Sequence, residues 1–391
     1  MPGTEPIYLD NSCTTFPKPK AVTDAVYEYM TTVGSNINRG CYTSSYTTEE
    51  VVYETRELLC KMFGGSDARN VIFTRGITES LNILIKGLLK KGDHVIVSPY
   101  EHNAVMRPLN TLAESGGITY DRIPCDDKGV LIIDKLSKMI RDNTKAMIIT
   151  HASNVSGLIM PIGEIGKICR KAGIILIVDS AQTAGVLPID MKVMNIDALA
   201  FTGHKGLMGP QGIGGIIMTD DVADLTLPFI EGGTGSMSDK EITPNVMPDK
   251  FEAGTLNIPG IMGLNAALKW VDDIGIDTIG RRESELCGRL IDGIRDLEDS
   301  GKICIARIQN QEYTGAVSIN CLTMDNSGMA AALDEKYGIM TRVGLHCSPA
   351  SHKTIGTFPE GTVRFSPGYF NTTEEIDRTI KAIHEIIGGV N

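Results

Sequence analysis

The sequence predicts an α/β protein: a large sheet of buried parallel strands with helices on both faces, followed by a smaller α+β domain. Several apolar runs have the composition of buried parallel strands, namely "NVIFT", "HVIVS", "AMIIT", "IILIVD", "ALAFT" and "GIGGIIM". Segments with helical spacing of apolar residues lie between most of them, and this alternation favours a sheet covered on both sides. After about residue 270 the pattern changes to a long helix, short alternating strands and a final helix.

The helices are predicted from apolar residues three or four positions apart, which share one helix face. The first four sets are Val22, Val26, Tyr29 and Val33; Leu81, Leu84 and Leu88; Ile261, Leu264, Leu268 and Val271; and Leu286, Leu290, Ile294 and Leu297. A final helix begins with a Thr372-x-x-Glu375 capping box and carries Ile376, Ile380, Ile383 and Ile387. We expect a large domain over residues 18–265 and a small domain formed by residues 1–17 and 266–391.

Composition restricts the class of protein. The formal net charge of −11 excludes an extended nucleic-acid or anionic-membrane surface, because no basic excess exists to replace counterions. No apolar stretch reaches membrane-spanning length and no secretory signal is recognised, so a cytoplasmic protein is expected. The nine cysteines contain no CxxC pair, which argues against a zinc site or a disulfide framework. Cys304 and Cys321 lie in apolar runs and are expected to be buried.

Ligands of open α/β sheets bind at the carboxyl ends of the strands, and two polar residues stand there. Asp179 ends "IILIVD", where a carboxylate could also simply cap the next helix. Lys205 follows "ALAFT" and precedes a glycine-rich stretch, in which backbone can approach a ligand closely. This pair suits pyridoxal 5′-phosphate, since a lysine forms the Schiff base and an aspartate keeps the ring nitrogen protonated.

The phosphate of such a cofactor needs a cradle. The stretch "VIFTRGITESLNIL" supplies a strand, a glycine turn and a helix whose free N–H groups can hold an anion, with the Thr78 hydroxyl beside them. An ordinary strand-to-helix turn with Thr78 as a cap is the alternative. The competing phosphate-binding motifs GxxxxGK[ST] and GxGxxG are absent.

Eight stretches occur in one order between residues 8 and 370: "YLDNSCTT", "RGITES", "EHNA", "HASNVSG", "VDSAQ", "FTGHKG…GPQGIG", "FEAGTLN" and "RVGLHC…VRFSPG". Together they resemble the class V aminotransferase-fold enzymes, in particular cysteine desulfurases and selenocysteine lyases. The resemblance covers nearly the whole chain. It implies a fold-type I enzyme with a mostly parallel, seven-stranded type of sheet, and it implies a homodimer.

The resemblance also implies roles at matching positions. Lys205 matches the Schiff-base lysine, Asp179 the partner of the pyridine nitrogen, and His102 the histidine that stacks on the cofactor ring. Asn154 and Gln182 match groups near the ring hydroxyl, and Arg364 matches the arginine that binds the substrate α-carboxylate. The remaining matches are phosphate ligands: Thr78, Thr202, His204 and, reaching into the neighbouring subunit, Thr255.

Cys347 matches the nucleophile that takes sulfur from L-cysteine, leaving L-alanine and a persulfide. We expect it on a mobile loop, because the thiolate must reach the pocket. His346 and Arg342 are close in sequence and could favour its thiolate. The segment from Cys347 to Arg364 is short, as in the branch that passes its persulfide to a partner protein and includes the selenocysteine lyases. The family's "HRGxH" reads "NRGCY" at residues 38–42 and its "HHC" reads "LHC".

Three alternatives stay open at this point. L-Selenocysteine is a second candidate substrate, with selenide as the released group. Another reaction of the same family, such as transamination, is disfavoured by a cysteine at position 347. A non-catalytic sulfur carrier is disfavoured by the complete set of Lys205, Asp179, His102 and Arg364, because a carrier needs no electron sink.

Overall fold

The structure is a computed structural model that describes residues 5–37 and 40–388. Its strands are β1 (Ile7–Tyr8), β2 (Val71–Thr74), β3 (His94–Val97), β4 (Thr119–Arg122), β5 (Thr144–Thr150), β6 (Ile175–Asp179), β7 (Ala198–Thr202), β8 (Gly214–Met218), β9 (Ile303–Ile305), β10 (Val317–Cys321), β11 (Ile339–Met340), β12 (Arg342–Gly344) and β13 (Thr362–Phe365). All of the runs that the sequence marked as strands form strands. The α/β fold class is confirmed.

Between β2 and β7 the helices alternate with the strands, whereas those after β8 follow one another without a strand between them up to β9. They are α1 (Lys20–Glu28), α2 (Thr43–Phe63), α3 (Ile77–Leu88), α4 (Asn103–Glu114), α5 (Leu136–Met139), α6 (Ile162–Ala172), α7 (Met191–Met194), α8 (Asp220–Leu225), α9 (Ile258–Ile274), α10 (Ile276–Gly293), α11 (Arg295–Asp299), α12 (Asn326–Tyr337), α13 (Pro349–Thr354) and α14 (Thr373–Gly388).

A seven-stranded sheet in the order β2-β8-β7-β6-β5-β3-β4 forms the centre of the larger part. Only β8 runs antiparallel to its neighbours, and the other strands share one direction. Separate apolar clusters cover the two faces of this sheet. The carboxyl ends of β5, β6 and β7 therefore meet at one edge, which is where ligands of such sheets bind. The edge strand β4 escaped prediction because its sequence, "TYDR", is polar and partly exposed.

The C-terminal part contains an antiparallel sheet in the order β12-β13-β10-β9 and a short parallel pair, β1 with β11. Its apolar cluster joins α10, α12 and α14 to Ile7 and Leu9 near the N-terminus. This packing supports our proposal that residues 1–17 belong with residues 266–391 rather than with the large domain. At the start of α14 the capping box forms in both directions, Glu375 N to Thr372 Oγ1 at 3.2 Å and Thr372 N to Glu375 Oε2 at 2.8 Å.

Two details of the sequence prediction are wrong. The long helix expected through Ile294 is two helices, because Ile294 leaves helical geometry (φ −120°) between α10 and α11. Cys304 is exposed rather than buried, whereas Cys321 is buried as expected. The reason is strand alternation, since β9 is an edge strand that turns Ile303 and Ile305 into the core and Cys304 away from it.

Candidate active site

Asp179 and Lys205 lie at the ends of neighbouring strands, β6 and β7. Asp179 is buried, and its Oδ1 accepts a hydrogen bond from Ala181 N at 2.9 Å. Burial raises the pKa of the Asp179 carboxyl, while the nearby Lys205 charge acts in the opposite direction. Burial also lowers the pKa of Lys205 to about 8, and the charge of Arg364 adds to that effect. The site thus holds an amine that deprotonates far more readily than an exposed lysine.

His102 precedes α4 and serves as its N-cap, since its Nδ1 accepts a hydrogen bond from Ala104 N at 3.0 Å. Burial, followed by the charge of Lys205, lowers the pKa of His102 to about 4. The ring is therefore neutral at pH 7. With Nδ1 acting as an acceptor, the ring proton resides on Nε2. The influence of Lys205 and Arg364 on this pKa places His102 in the same electrostatic environment as the lysine.

A cradle for an anion lies next to this group, formed by Gly76, Thr78, Thr202 and His204, which line one cavity of about 570 Å³. Thr78 lies in the first turn of α3. The backbone N–H groups at the start of a helix have no hydrogen-bond partner within the helix, so they are available to an anion. The backbone at Gly76 packs closely against the backbone at Gly214, so that a Cβ added to Gly214 would come within 2.7 Å of Gly76 Cα. Burial lowers the pKa of His204 to about 4, and its Nδ1 has no partner among the described residues.

Arg364 points from β13 towards the same region and is 2% exposed. Its Nη1 donates to Asn154 O at 2.8 Å, and its Nη2 donates to Asp10 Oδ1 at 2.8 Å. Its Nε and the side-chain Oδ1 of Asn154 are buried without a partner in the part of the chain that the structure describes. Buried polar groups are normally satisfied, so these two atoms are available to the polar groups of a ligand.

Among the described residues, no hydrogen bond or ion pair links Arg342 to Cys347. Arg342 lies opposite Arg364 across β12 and β13, and its Nη1 donates to Cys13 Sγ at 3.1 Å. Asp10 also faces it, at 3.7 Å. Cys13 and Asp10 are site residues that the sequence reasoning missed, although both lie inside the motif "YLDNSCTT" that carried the resemblance.

Cys347 is exposed, and the backbone of its loop is hydrogen-bonded to other segments. Its carbonyl oxygen accepts from Asn103 N at 2.9 Å, and the carbonyl of His346 accepts from Asn154 Nδ2 at 2.7 Å. His346 turns away from the thiol, with its Nε2 3.0 Å from Thr362 Oγ1, and burial lowers its pKa to about 2. The two bonds to these carbonyl oxygens join the loop backbone to the segments that carry His102 and Asn154.

The remaining predicted residues lie around this centre or apart from it. Gln182 is partly buried, donates to Ser12 O at 3.2 Å and lines a narrow cavity with Lys205. Thr255 is exposed and lines a different cavity with Arg56 and Glu252, so within one chain it does not join the cradle. Of the "NRGCY" stretch, residues 38 and 39 lie outside the described residues.

The family model described as Aminotransferase class-V matches residues 7–379 of the chain. A Pyrococcus abyssi protein named "Probable cysteine desulfurase" is 35% identical over 390 residues, covering 98% of this chain and 94% of the relative. A similar protein from Methanothermobacter thermautotrophicus, named in the same way, is 33% identical over 387 residues, covering 98% of this chain and 95% of the relative.

Solved structures that are similar to this chain include cysteine desulfurases as well. An apo cysteine desulfurase from Thermococcus onnurineus superposes with a TM-score of 0.91 at 34% identity, covering 98% of this chain and 95% of that one. The cysteine desulfurase CsdA from Escherichia coli superposes with a TM-score of 0.87 at 27% identity, covering 99% and 96%. With the fold, the strand-end lysine and aspartate and these matches together, the chain belongs to the class-V aminotransferase family.

Proposed function

We propose that the protein is a pyridoxal 5′-phosphate-dependent cysteine desulfurase, which converts L-cysteine to L-alanine and passes the sulfur to Cys347 as a persulfide. The observation that carries the proposal is the position of the Cys347 loop. Its backbone is bonded to Asn103, next to His102, and to Asn154, whose carbonyl holds Arg364. An exposed thiol is thereby joined to the residues around Lys205.

The residues present fit the cofactor. Asp179 is a buried carboxylate with only a backbone hydrogen bond, as a protonated pyridine nitrogen requires. The cradle of Gly76, Thr78, Thr202 and His204 offers helix N–H groups, hydroxyls and the unpartnered His204 Nδ1 to a phosphate. His102 presents a neutral ring for stacking, and Asn154 and Gln182 supply amide groups. When bound, the cofactor withdraws electrons from the substrate α-carbon.

The protein's own groups divide the rest of the reaction. Arg364 binds the substrate carboxylate with a charge-assisted contact, for which its free Nε is available. The Lys205 amine, with its pKa lowered to about 8, takes the proton from the α-carbon. The Cys347 thiolate attacks the substrate sulfur, so that an S–S bond forms as the Cβ–S bond breaks. The substrate β-carbon then takes up a proton, the α-carbon regains the one that Lys205 removed, and the sum is cysteine plus thiol giving alanine plus persulfide.

A homodimer forms part of this proposal. The segment between the residues of the cradle cavity and Thr255 carries several exposed apolar side chains: Phe229 and Ile230, which line the cradle cavity, and then Met237, Ile242 and Val246. Ile242 is 73% exposed. Exposed apolar side chains gathered in one segment favour an interface. A second copy of the chain would cover this segment and bring its own Thr255 to the cradle.

The dimer can be tested with a matched pair of substitutions. Ile242→Asp should shift the protein to monomers in sedimentation at micromolar concentration and weaken cofactor binding. Val193→Asp is the control, because Val193 is also 73% exposed but lies on α7, outside that segment. A wild-type protein that sediments as a monomer with full activity would contradict the dimer.

Two further parts of the proposal concern the acceptor of the sulfur and the compartment of the protein. An exposed Cys347 persulfide is accessible to a second molecule, and we infer a protein thiol as the acceptor of sulfur, or of selenium if L-selenocysteine is used. The number of cysteines is odd and no two of them form a CxxC pair, which supports a reducing compartment such as the cytoplasm. Within the described residues, no helix is both long and apolar enough to cross a membrane.

In the deciding experiment, purified protein is incubated with pyridoxal 5′-phosphate, L-cysteine and a reductant, and the alanine and sulfide formed are measured. Equal amounts of the two products are expected. Pyruvate in place of alanine, or transfer of the amino group to an added keto acid, would assign the chain to another reaction of the family.

A further inference from the structure

The loop that carries Cys347 adopts a backbone conformation that its residues do not favour. His346 and Cys347 have φ values of 48° and 58°, in the left-handed region that L-residues other than glycine rarely occupy. Neither is a glycine, an asparagine or an aspartate. Such a conformation persists only when surrounding contacts hold it in place. Contacts around His346 and Cys347 must therefore hold this turn.

Ser348 and Ser351 supply those contacts from the residues that follow. Both are fully buried. Ser348 Oγ lies 3.0 Å from Glu101 O, Ser351 Oγ lies 3.0 Å from Tyr100 O, and the two hydroxyls are 2.6 Å apart, so they form one hydrogen-bonded network with the two carbonyl oxygens. Ser348 N also closes the turn by donating to Leu345 O at 2.9 Å.

These bonds fasten the loop on both sides of His102. Ser348 is bonded to the carbonyl of Glu101, immediately before the histidine, and Cys347 O accepts from Asn103 N, immediately after it. Ser348 and Cys347 are thus bonded to the residues on either side of His102. The thiol-bearing loop and His102 therefore move together.

We propose that Ser348 is a positioning residue for sulfur transfer, which holds the Cys347 thiol at a set place relative to the His102 side chain. The inference rests on the proposed function for its kinetic consequence only. The nucleophile is presented by a preformed turn rather than brought in by loop closure. Ser348 acts through backbone contacts and touches no reacting atom.

The test compares Ser348→Ala with Ser45→Ala in the holoenzyme. Ser45 is also a buried serine whose hydroxyl donates to a backbone carbonyl, that of Asn36 at 2.9 Å, but it lies on α2. Ser348→Ala should lower kcat for alanine formation at least tenfold while KM changes less than twofold. Ser45→Ala should change neither. If Ser348→Ala fails to fold, Ser351→Ala removes the second hydroxyl of the same pair and should give the same split.

Two measurements separate positioning from general destabilisation. Hydrogen exchange at the Asn103 amide and alkylation of Cys347 by iodoacetamide should both accelerate several-fold in Ser348→Ala and stay at wild-type rates in Ser45→Ala. Unchanged exchange and alkylation, or an equal loss of kcat in both variants, would overturn the inference. Because neither measurement needs turnover, a wild-type protein that makes no alanine would refute the proposed function and still leave the positioning role decided.

Discussion

Arg364, which is buried, and Asp10, which is partly exposed, form an ion pair with 2.8 Å between Nη2 and Oδ1. The pair joins the second sheet to the segment after β1, and Arg342 lies on the other side of the same carboxylate, 3.7 Å away. Arg342 and Arg364 are register partners on antiparallel strands, where like charges repel. Asp10 separates them, so one carboxylate stabilises two guanidinium groups.

Replacing Asp10 should therefore destabilise the protein. Asp10→Asn leaves Arg364 buried without its counter-charge and facing Arg342, and we expect a loss of about 2 kcal/mol in the free energy of unfolding. Urea denaturation of the wild type and the variant measures this difference in the free energy of unfolding. Asp24→Asn is the control, because Asp24 pairs with Lys20 in an exposed helix pair whose loss costs less than about 0.5 kcal/mol. Equal midpoints for the two variants would contradict the role of Asp10.

Lys205→Ala should abolish covalent attachment of the cofactor and the yellow colour that accompanies it. Borohydride reduction followed by peptide mass analysis locates the attachment site. Lys18→Ala is a demanding control, since burial lowers the pKa of Lys18 to about 8 as well and its Nζ lies 2.7 Å from His204 O. The control should keep the label on Lys205. A label on Lys18 in the Lys205 variant would show that the assignment is wrong.

Cys347→Ser should reduce alanine formation from L-cysteine at least a hundredfold, because the substrate sulfur is a poor leaving group without a thiolate to accept it. L-Selenocysteine should still yield measurable alanine, since selenium leaves more readily. Cys13→Ser is the control, because Cys13 is a second thiol of the site and accepts a hydrogen bond from Arg342. It should retain cysteine turnover. Full turnover in Cys347→Ser would show that this thiol is incidental to the reaction.

The contribution of two buried glutamates to stability should decline as the pH rises from about 4.5 to about 8. Burial raises the pKa of both Glu101 and Glu283 to about 8, so in this range the folded protein holds protons on them that the unfolded chain has released. Glu283→Gln should remove one of these contributions. Relative to the wild type, we expect the change in unfolding free energy between pH 5.5 and pH 7.5 to be more favourable by roughly 2 kcal/mol in this variant.

Glu54→Gln serves as the opposite control. A hydrogen bond from Lys269 lowers the pKa of Glu54, so its contribution to stability is present above its unfolded pKa and is lost on acidification. Replacing it should leave the change in unfolding free energy between pH 5.5 and pH 7.5 as it is in the wild type. Identical pH profiles for wild type and Glu283→Gln would show that Glu283 is ionised at neutral pH.

The sequence alone determined the fold class and much of the site. Buried parallel strands are near-continuous apolar runs, so β2, β3, β5, β6, β7 and β8 could be predicted from composition. Because parallel strands end at one edge, the places of Asp179 and Lys205 directly after two such runs were enough to predict that they meet. The capping box at Thr372 is also a local pattern, and it forms as expected.

Only the tertiary structure decided how side chains from distant segments meet. Asp10 is 354 residues from Arg364 in sequence, and no local pattern links them. The direction of Arg342 depends on its register with β13, and the exposure of Cys304 depends on β9 being an edge strand. The glycine and proline beside Cys347 predict a mobile loop, and its hydrogen bonds to Tyr100, Glu101 and Asn103 could be found only in the structure. Local propensity specifies elements, whereas long-range hydrogen bonds and ion pairs specify where reactive groups lie.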